Sequence, residues 1–250
     1  IREEIVMSME TDIGRERNVL GETAEHCEQL HLMSPILTDE QLDYIKHIDK
    51  PGLKTKTIST LFKAADGPKA LDKAIDRICD EAMKALADGY TLIVLSDRGV
   101  NETNCPIPSL LAVGAVHQFL VREQKRAECG LILESGEPRE VMHFCLLTGY
   151  GAGAVNPYLA FETIQDLIGK EEIVEEYPGQ ANKNFVKAIE NAMLKTMSKI
   201  GISTQHSYRN AQIFEAIGLS TKLVERCFTG TASRVEGIDV QDVGTESLLR

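Results

Sequence analysis

The side chains best suited to acid–base chemistry in this chain are Asp97 and Glu134, and each stands just after a short apolar run. Residues 91–95 (TLIVL) lead into Ser96-Asp97-Arg98, residues 129–133 (CGLIL) into Glu134-Ser135-Gly136, and Ala154-Val155 into Asn156-Pro157-Tyr158. Two carboxylates brought into one pocket can act as acid and base. Each also has a cation close by in sequence, Arg98 for Asp97 and Arg139 for Glu134, so a structural ion network reads equally well.

A second group is rich in hydroxyls and small side chains. Residues 228–234 (FTGTASR), with Thr229, Thr231 and Ser233, and the triplet Ser207-Tyr208-Arg209 have the composition of a loop whose amides hold a phosphate or carboxylate at a helix N-terminus. The same composition suits a loop packed tightly against another domain, with its hydroxyls capping helices. His26-Cys27 with His31 resembles part of a metal site, but a structural zinc takes four ligands and no second pair lies at suitable spacing. His117 falls on an apolar helical stripe and reads as a core or interface histidine with a satisfied hydrogen bond before it reads as catalytic. There is no Walker-type phosphate loop, no GxGxxG, no GxSxG and no HExxH. Residues 149–153 (GYGAG) lie between a helix and a strand, the reverse of a dinucleotide fingerprint, and read as a helix end and a tight turn.

The elements that must position these groups follow from periodicity. Apolar runs ending in polar residues and followed by helical stretches are the pattern of a parallel α/β protein, in which ligands meet the carboxyl ends of the strands. Residues 55–61 predict a further strand. Leu71, Ile75, Ile78, Ala82 and Leu86 form one face of a helix over 69–87 that Gly89 closes. Ser109 opens a helix carrying Leu110, Val113, His117 and Leu120, and Pro138 suits the first turn of the next, with Val141, Phe144, Cys145 and Thr148 on its buried side. Helices are also predicted over 159–167, over Phe185 to Met197 and over 221–227, and the segment 211–216 takes Gly218 as its C-cap. Residues 170–176 form a solvated excursion.

Residues 1–50 lack strand periodicity and are broken by Gly14, Gly21 and Pro35, so they read as an extended arm lying on another surface. The arm includes a helix started by Thr38 and Gln41 as a capping box and continued by Leu42, Ile45 and Ile48. The domain division is therefore 1–50, arm and capped helix, and 51–250, a β/α domain.

Composition narrows the function classes. The 250 residues are 43% hydrophobic, enough for a core, and no run approaches the ~18 apolar residues of a membrane span. A soluble, cytoplasmic protein is expected. A formal charge of -11, from 27 basic and 38 acidic residues without a Lys/Arg cluster, argues against a nucleic-acid partner. The six cysteines have no CxxC pair, and Cys79, Cys129 and Cys145 sit in apolar stretches as buried thiols. The chain starts at Ile1 and ends in VQDVGTESLLR, a helix cut short, as expected of a piece of a larger polypeptide.

Residues 106–120 (PIPSLLAVGAVHQFL), 131–164 (LILESGEPREVMHFCLLTGYGAGAVNPYLAFETI), 197–219 (MSKIGISTQHSYRNAQIFEAIGL) and 228–234 closely resemble the central domain of the large subunit of glutamate synthase, and residues 14–42 resemble that family's leading segment. The resemblance implies a multidomain iron–sulfur flavoprotein that converts glutamine and 2-oxoglutarate into two glutamates. It implies an amidotransferase domain that releases ammonia with an N-terminal cysteine, an FMN-bearing barrel beside a 3Fe–4S cluster, and a β-helix domain after that barrel. The central domain is then an incomplete (β/α) barrel without flavin, related to the FMN-binding barrel, which links its neighbours and helps wall an ammonia passage. Catalysis is not assigned to these residues, since there is no leading cysteine, and no cofactor is expected here, since the shortest cysteine spacing, 129 to 145, does not suit a cluster.

The candidate passage or interdomain residues are Arg17, Asn18, Ser203, Thr204, Ser207, Tyr208, Arg209, Gln212, Thr229, Thr231 and Ser233. The strand-end polar set is Asp97, Arg98, Glu134, Ser135 and Asn156. Two other readings stay open: a flavin- or phosphate-dependent (β/α) enzyme with its anion site at 228–234, and an architectural spacer. The electron donor of the parent enzyme lies outside what these residues tell.

Overall fold

The apolar runs become strands buried on both faces, and the computed structural model, which describes residues 2–249, shows what covers each face. The chain opens with a hairpin of β1 (Thr11–Gly14) and β2 (Gln29–Leu32), then α1 (Asp39–Lys46), β3 (Asp49–Lys50), β4 (Leu53–Ser59) and β5 (Leu61–Lys63). Next come α2 (Ala70–Ala87), β6 (Leu92–Ser96), β7 (Asn104–Pro106), α3 (Ser109–Arg122), β8 (Gly130–Glu134), α4 (Val141–Gly149) and β9 (Ala154–Asn156). The rest is α5 (Tyr158–Gly169), α6 (Gln180–Ile200), α7 (Gln205–Tyr208), β10 (Glu215–Ala216), α8 (Thr221–Cys227), β11 (Ala232–Ser233) and α9 (Val240–Leu249).

The main sheet has five strands in the order β3-β4-β6-β8-β9. All neighbours are parallel except the edge pair β3 and β4, so this is an α/β fold with a mixed sheet. Register aligns Ser59, Ser96, Glu134 and Asn156 at the carboxyl ends. Because side chains alternate, the residues two before three of them, Val94, Ile132 and Ala154, point to the same face.

The two faces have different covers. Ile93, Leu95, Leu131, Leu133 and Val155 pack into the larger core with α2, α3 and α4. Leu92, Val94, Ile132 and Ala154 pack instead against Ile13 of β1, Leu37, and Leu42 and Ile45 of α1. Residues from the N-terminal fifty therefore supply the cover of that second face. Gly130 and Gly153, near the starts of β8 and β9, let β1 come close: a Cβ on Gly130 would stand 2.8 Å from the Gly14 backbone N, and one on Gly153 2.7 Å from Ile13 Cγ2.

Several expectations meet the structure directly. Gln41 N donates to Thr38 Oγ1 at 3.3 Å and Thr38 N to Gln41 Oε1 at 2.9 Å, closing the capping box of α1. Helices α2, α3, α5, α6 and α8 stand over the periodic segments that predicted them.

Three boundaries differ. The strand expected at 55–61 is two strands, split at Thr60, whose N and Oγ1 both donate to Ser96 O; β4 joins the main sheet while β5 pairs with β7. Pro138 does not lie in the first turn of α4, which begins at Val141. Gly136 is tied to Asp97, and Glu137 Oε2 accepts from Ser109 N at 2.7 Å, which keeps that stretch out of the helix. Residues 211–216 are not a helix, because Asn210 and Gln212 take positive φ (59° and 55°) and Asn210 N bonds Gly149 O instead. No helix among the described residues is long and apolar enough to cross a membrane.

Leu42, 2% exposed, joins α1 to the sheet. Leu42→Ala should lower stability by about 3 kcal/mol in denaturant unfolding; a loss within about 0.5 kcal/mol, the range of surface substitutions, would show that α1 does not hold this face.

Candidate functional site

The in-register strand ends put polar side chains on the face that α1 covers, and α1 supplies their partners. Glu134, with its side chain 3% exposed, accepts from Lys46 Nζ at 2.7 Å and Ser96 Oγ at 2.5 Å on Oε2, and from Arg98 Nε at 2.9 Å on Oε1. Arg98 also reaches Glu162 at 3.0 Å and Asp39 at 3.7 Å and lies 4.0 Å over the Tyr158 ring. Asn156 Nδ2 donates to Leu37 O at 3.0 Å and Asp39 Oδ1 at 2.8 Å.

Burial is the strongest influence on Glu134 and acts to raise its pKa. The hydrogen bonds from Lys46, Ser96 and Arg98 together outweigh it and hold the carboxyl below its ordinary range. Asp97 shows the opposite outcome. It accepts from Ser135 Oγ at 2.6 Å and Gly136 N at 3.1 Å, with the Tyr158 hydroxyl beside it, and burial raises its pKa despite these neutral donors.

The five strand-end residues are thus close together, but not with the ion partners that sequence proximity gave them. Arg98 turns to Glu134, and Arg139 Nε reaches only Glu137 O, at 3.4 Å. The reason is alternation: Ser96 pairs with Glu134 in register, so Asp97, one residue on, points away from it. Lys46, Asp39, Tyr158 and Glu162 were missed. A lysine in the last turn of a capped helix is ordinary, so nothing in the sequence singled out Lys46.

At the opposite end of the strands lies a buried seam of a different kind. Helix α7, capped by Thr204 Oγ1 accepting from Ser207 N at 3.3 Å, buries Gln205 and Tyr208 completely. Both amide atoms of Gln205, the Tyr208 hydroxyl, Thr11 Oγ1 and His117 Nε2 are buried without a hydrogen-bond partner. The Tyr208 hydroxyl lies beside the Cys145 thiol, and burial raises the pKa of both.

The turn at 149–153 is the wall against which Tyr208, His117 and Arg209 pack. Gly149 faces the Tyr208 ring, Gly153 faces Ile13 and Arg209, and Gly151, at φ 121°, leaves the room that the His117 ring occupies. Arg126 Nε donates to His117 Nδ1 at 2.9 Å, and its other nitrogens hold Cys129 O at 2.7 Å and Gly151 O at 2.9 Å. Burial first, then the positive charges of Arg126 and Arg209, push His117 down to about 3, so the ring is neutral at physiological pH. Burial and the repulsion of Arg126 bring Arg209 down to about 10. Thr11, Gln205 and Arg126 carried no signal in the sequence, since each becomes polar lining only through packing.

The remaining candidates are dispersed. Ser203 O accepts from Ser8 N at 3.0 Å, and Ser207 Oγ meets Thr204 Oγ1 at 2.9 Å. Gln212 packs against Gly230, and Thr231 Oγ1 meets the Tyr150 hydroxyl at 2.8 Å. Thr229 Oγ1 donates to Glu225 O at 2.7 Å and Ser233 Oγ to Leu219 O at 3.4 Å. The 228–234 loop follows the C-terminal end of α8, where the helix dipole disfavours an anion, and its hydroxyls are already engaged. Arg17 pairs with Glu28 at 3.1 Å and Glu25 at 3.3 Å, while Asn18 Oδ1 accepts from Leu20 N at 3.0 Å, both in the loop between β1 and β2. His31 pairs with Asp12 at 2.9 Å and His26 bonds Asn18 O at 2.9 Å; among the described residues no group of three or more His, Cys, Asp or Glu converges to hold a metal.

Comparison with known proteins places these features in a family. A family model described as the glutamate synthase central domain matches residues 1–220. A glutamate synthase [NADH] of Schizosaccharomyces pombe is 44% identical over 99% of this chain and 12% of its own length. The glutamate synthase [NADPH] large chain of Bacillus subtilis is 42% identical over 100% of this chain and 16% of its own length. A chloroplastic ferredoxin-dependent glutamate synthase of Oryza sativa subsp. japonica is 39% identical over 99% of this chain and 16% of its own length. The chain thus spans only about one sixth or less of these relatives.

Two outcomes test the electrostatics. Glu134→Gln leaves Lys46 and Arg98 without their shared anion and should cost about 2 kcal/mol, less than a fully buried pair because Arg98 is 41% exposed. The stability that Glu134 contributes is present above the ordinary carboxylate pKa and lost as pH falls through its lowered folded value, so the gap between wild type and variant should close in acid. His117, with a folded pKa near 3, contributes stability that is full above about 6.5 and lost as pH falls toward 3. His117→Gln should therefore flatten the dependence of unfolding free energy on pH across that window, by up to about 1.4 kcal/mol per pH unit. An unchanged slope would show that the histidine is not held neutral.

Proposed function

The chain belongs to the glutamate synthase central-domain family, and from that membership we propose that it is the non-catalytic domain joining an amidotransferase domain to an FMN and iron–sulfur synthase domain. The parent enzyme would make two glutamates from glutamine and 2-oxoglutarate, in ammonia assimilation in the cytoplasm. This domain would help to wall the path that ammonia takes between the two reactions.

The observation that carries this reading is the buried seam with its unpartnered polar atoms. Ammonia in transit needs a path sealed from water and lined by weak neutral contacts, because an anionic partner would stabilise the ammonium ion and trap it. Gln205, Tyr208, Thr11 and His117 offer such contacts. The neutral His117 and the positive Arg126 and Arg209 favour ammonia over ammonium there, partly offset by Glu16 beside Arg209. Of the candidate residues named from sequence, Tyr208 and Arg209 lie in this seam, while Thr231 and Gln212 lie around Tyr150 and Gly230.

We read the main sheet as the arc of an incomplete (β/α) barrel. Strand order follows chain order, α2, α3 and α4 all lie on one face, and the N-terminal segment fills the face that closure would enclose. FMN and the 3Fe–4S cluster are assigned to the rest of the polypeptide. The strand ends, where an α/β sheet takes its ligand, are crossed by α1, and Glu134 is already paired with Lys46 and Arg98, so they do not fit a flavin. The similar identity to relatives named for NADH, NADPH and ferredoxin supports placing donor choice outside this domain.

The test uses the full polypeptide. Gln205→Leu and Tyr208→Phe should leave glutamine hydrolysis, and glutamate formation from added ammonium, near wild type. They should lower glutamate made per glutamine hydrolysed by about fivefold, equivalent to about 1 kcal/mol. Unchanged coupling in both variants would remove the passage and leave an architectural spacer; stoichiometric flavin retained by this domain would favour the flavin-dependent alternative.

A further inference from the structure

The loop that joins β1 to β2, residues 15–28, places two large apolar side chains in water: Val19 is 92% exposed and Leu20 91%. The tip is built, not slack. Leu20 N donates to Asn18 Oδ1 at 3.0 Å and Gly21 N to Asn18 O at 2.8 Å, which makes a local turn. The His26 ring meets Asn18 O through Nε2 at 2.9 Å and accepts from Thr23 N on Nδ1 at 3.2 Å. Arg17 reaches Glu25 and Glu28, and Glu16 N donates to Ala127 O at 2.7 Å, which ties the loop base to the short 3-10 turn that precedes β8.

This loop carries only a short 3-10 helix at Ala24–Cys27, and a loop fixed in advance by such internal bonds loses little freedom when it binds. Holding Val19 and Leu20 outward on such a frame therefore makes sense only with a complementary apolar surface. A second copy of the chain does not suit: a convex tip of two residues falls far short of the ~1,200 Å² that stable association buries. Within one polypeptide the same small contact is effective, because its two sides are already joined. The chain spans 12% to 16% of its relatives, so most of such a polypeptide lies outside this structure.

We propose that Val19 and Leu20 are an interdomain anchor that inserts into an apolar pocket on another domain of the same polypeptide. This rests on the reading of the chain as the central domain of a longer enzyme. It adds a contact surface separate from the buried seam.

The experiment is maleimide labelling of a Leu20→Cys variant of the full polypeptide, with the label located by peptide mass. In the folded protein, position 20 should react at least about tenfold more slowly than in guanidinium. Equal rates would overturn the anchor. Slow labelling that becomes fast on dilution would identify a second polypeptide as the occupant and overturn it as well. If Leu20→Cys does not fold, Val19→Cys is read in the same way. Slow labelling with unchanged ammonia coupling in the seam variants would keep the anchor and remove the passage; fast labelling with lost coupling would do the reverse.

Discussion

A carboxylate buried at the end of a central strand must be matched by positive charge, and much of the architecture follows from how Glu134 is matched. Its two oxygens receive Lys46, Ser96 and Arg98, and Lys46 comes from α1. That bond holds the C-terminal end of α1 at the strand ends, and Asp39 with Asn156 holds the N-terminal end. Leu42 and Ile45 are then pressed onto Val94, Ile132 and Ala154. Breaking the pair would expose a charge and also loosen the cover of a whole sheet face.

The two ends of the parallel strands have opposite polar economies. At the carboxyl ends nearly every charged group is paired across elements, which suits a closed structural junction and leaves little to act on a substrate. At the amino ends, neutral groups from β1, α3 and α7 are buried with atoms unmatched, and Arg126 and Arg209 lie nearby, with Glu16 close to Arg209. Leaving such atoms unmatched costs stability, on the order of 1–3 kcal/mol for each truly dry group. A cost of that kind, concentrated along one turn, is where a small neutral ligand or water would be at home. In α/β sheets the carboxyl ends ordinarily hold the ligand; here α1 lies across them, and the polar opportunity moves to the other end.

Much of the scaffold was legible in the residues. The spacing of Leu71, Ile75, Ile78 and Ala82 marked α2, the Thr38 and Gln41 box marked α1, and the runs at 91–95 and 129–133 marked β6 and β8. Each is a local signal, and tertiary contacts reinforced it. The misreadings came where a long-range bond decided the local shape. Thr60 splits a strand because it answers to Ser96, the start of α4 is delayed because Asp97 and Ser109 hold the residues before it, and 211–216 fails to coil because Asn210 answers to Gly149.

The sequence by itself determined the α/β pattern, the polar strand ends and the family, because periodicity, capping and long residue runs are properties of neighbours along the chain. It could not tell that Glu134 belongs to Lys46 and Arg98 and not to Arg139, since that pairing depends on strand register and on where α1 lands, 88 residues away from Glu134 in the chain. Nor could it gather Thr11, His117, Gln205 and Arg209 into one seam. His117, Tyr208, Arg209 and Ile13 of β1 come to the turn at 149–153 because Gly149, Gly151 and Gly153 are small enough for a strand and two helices to close around it.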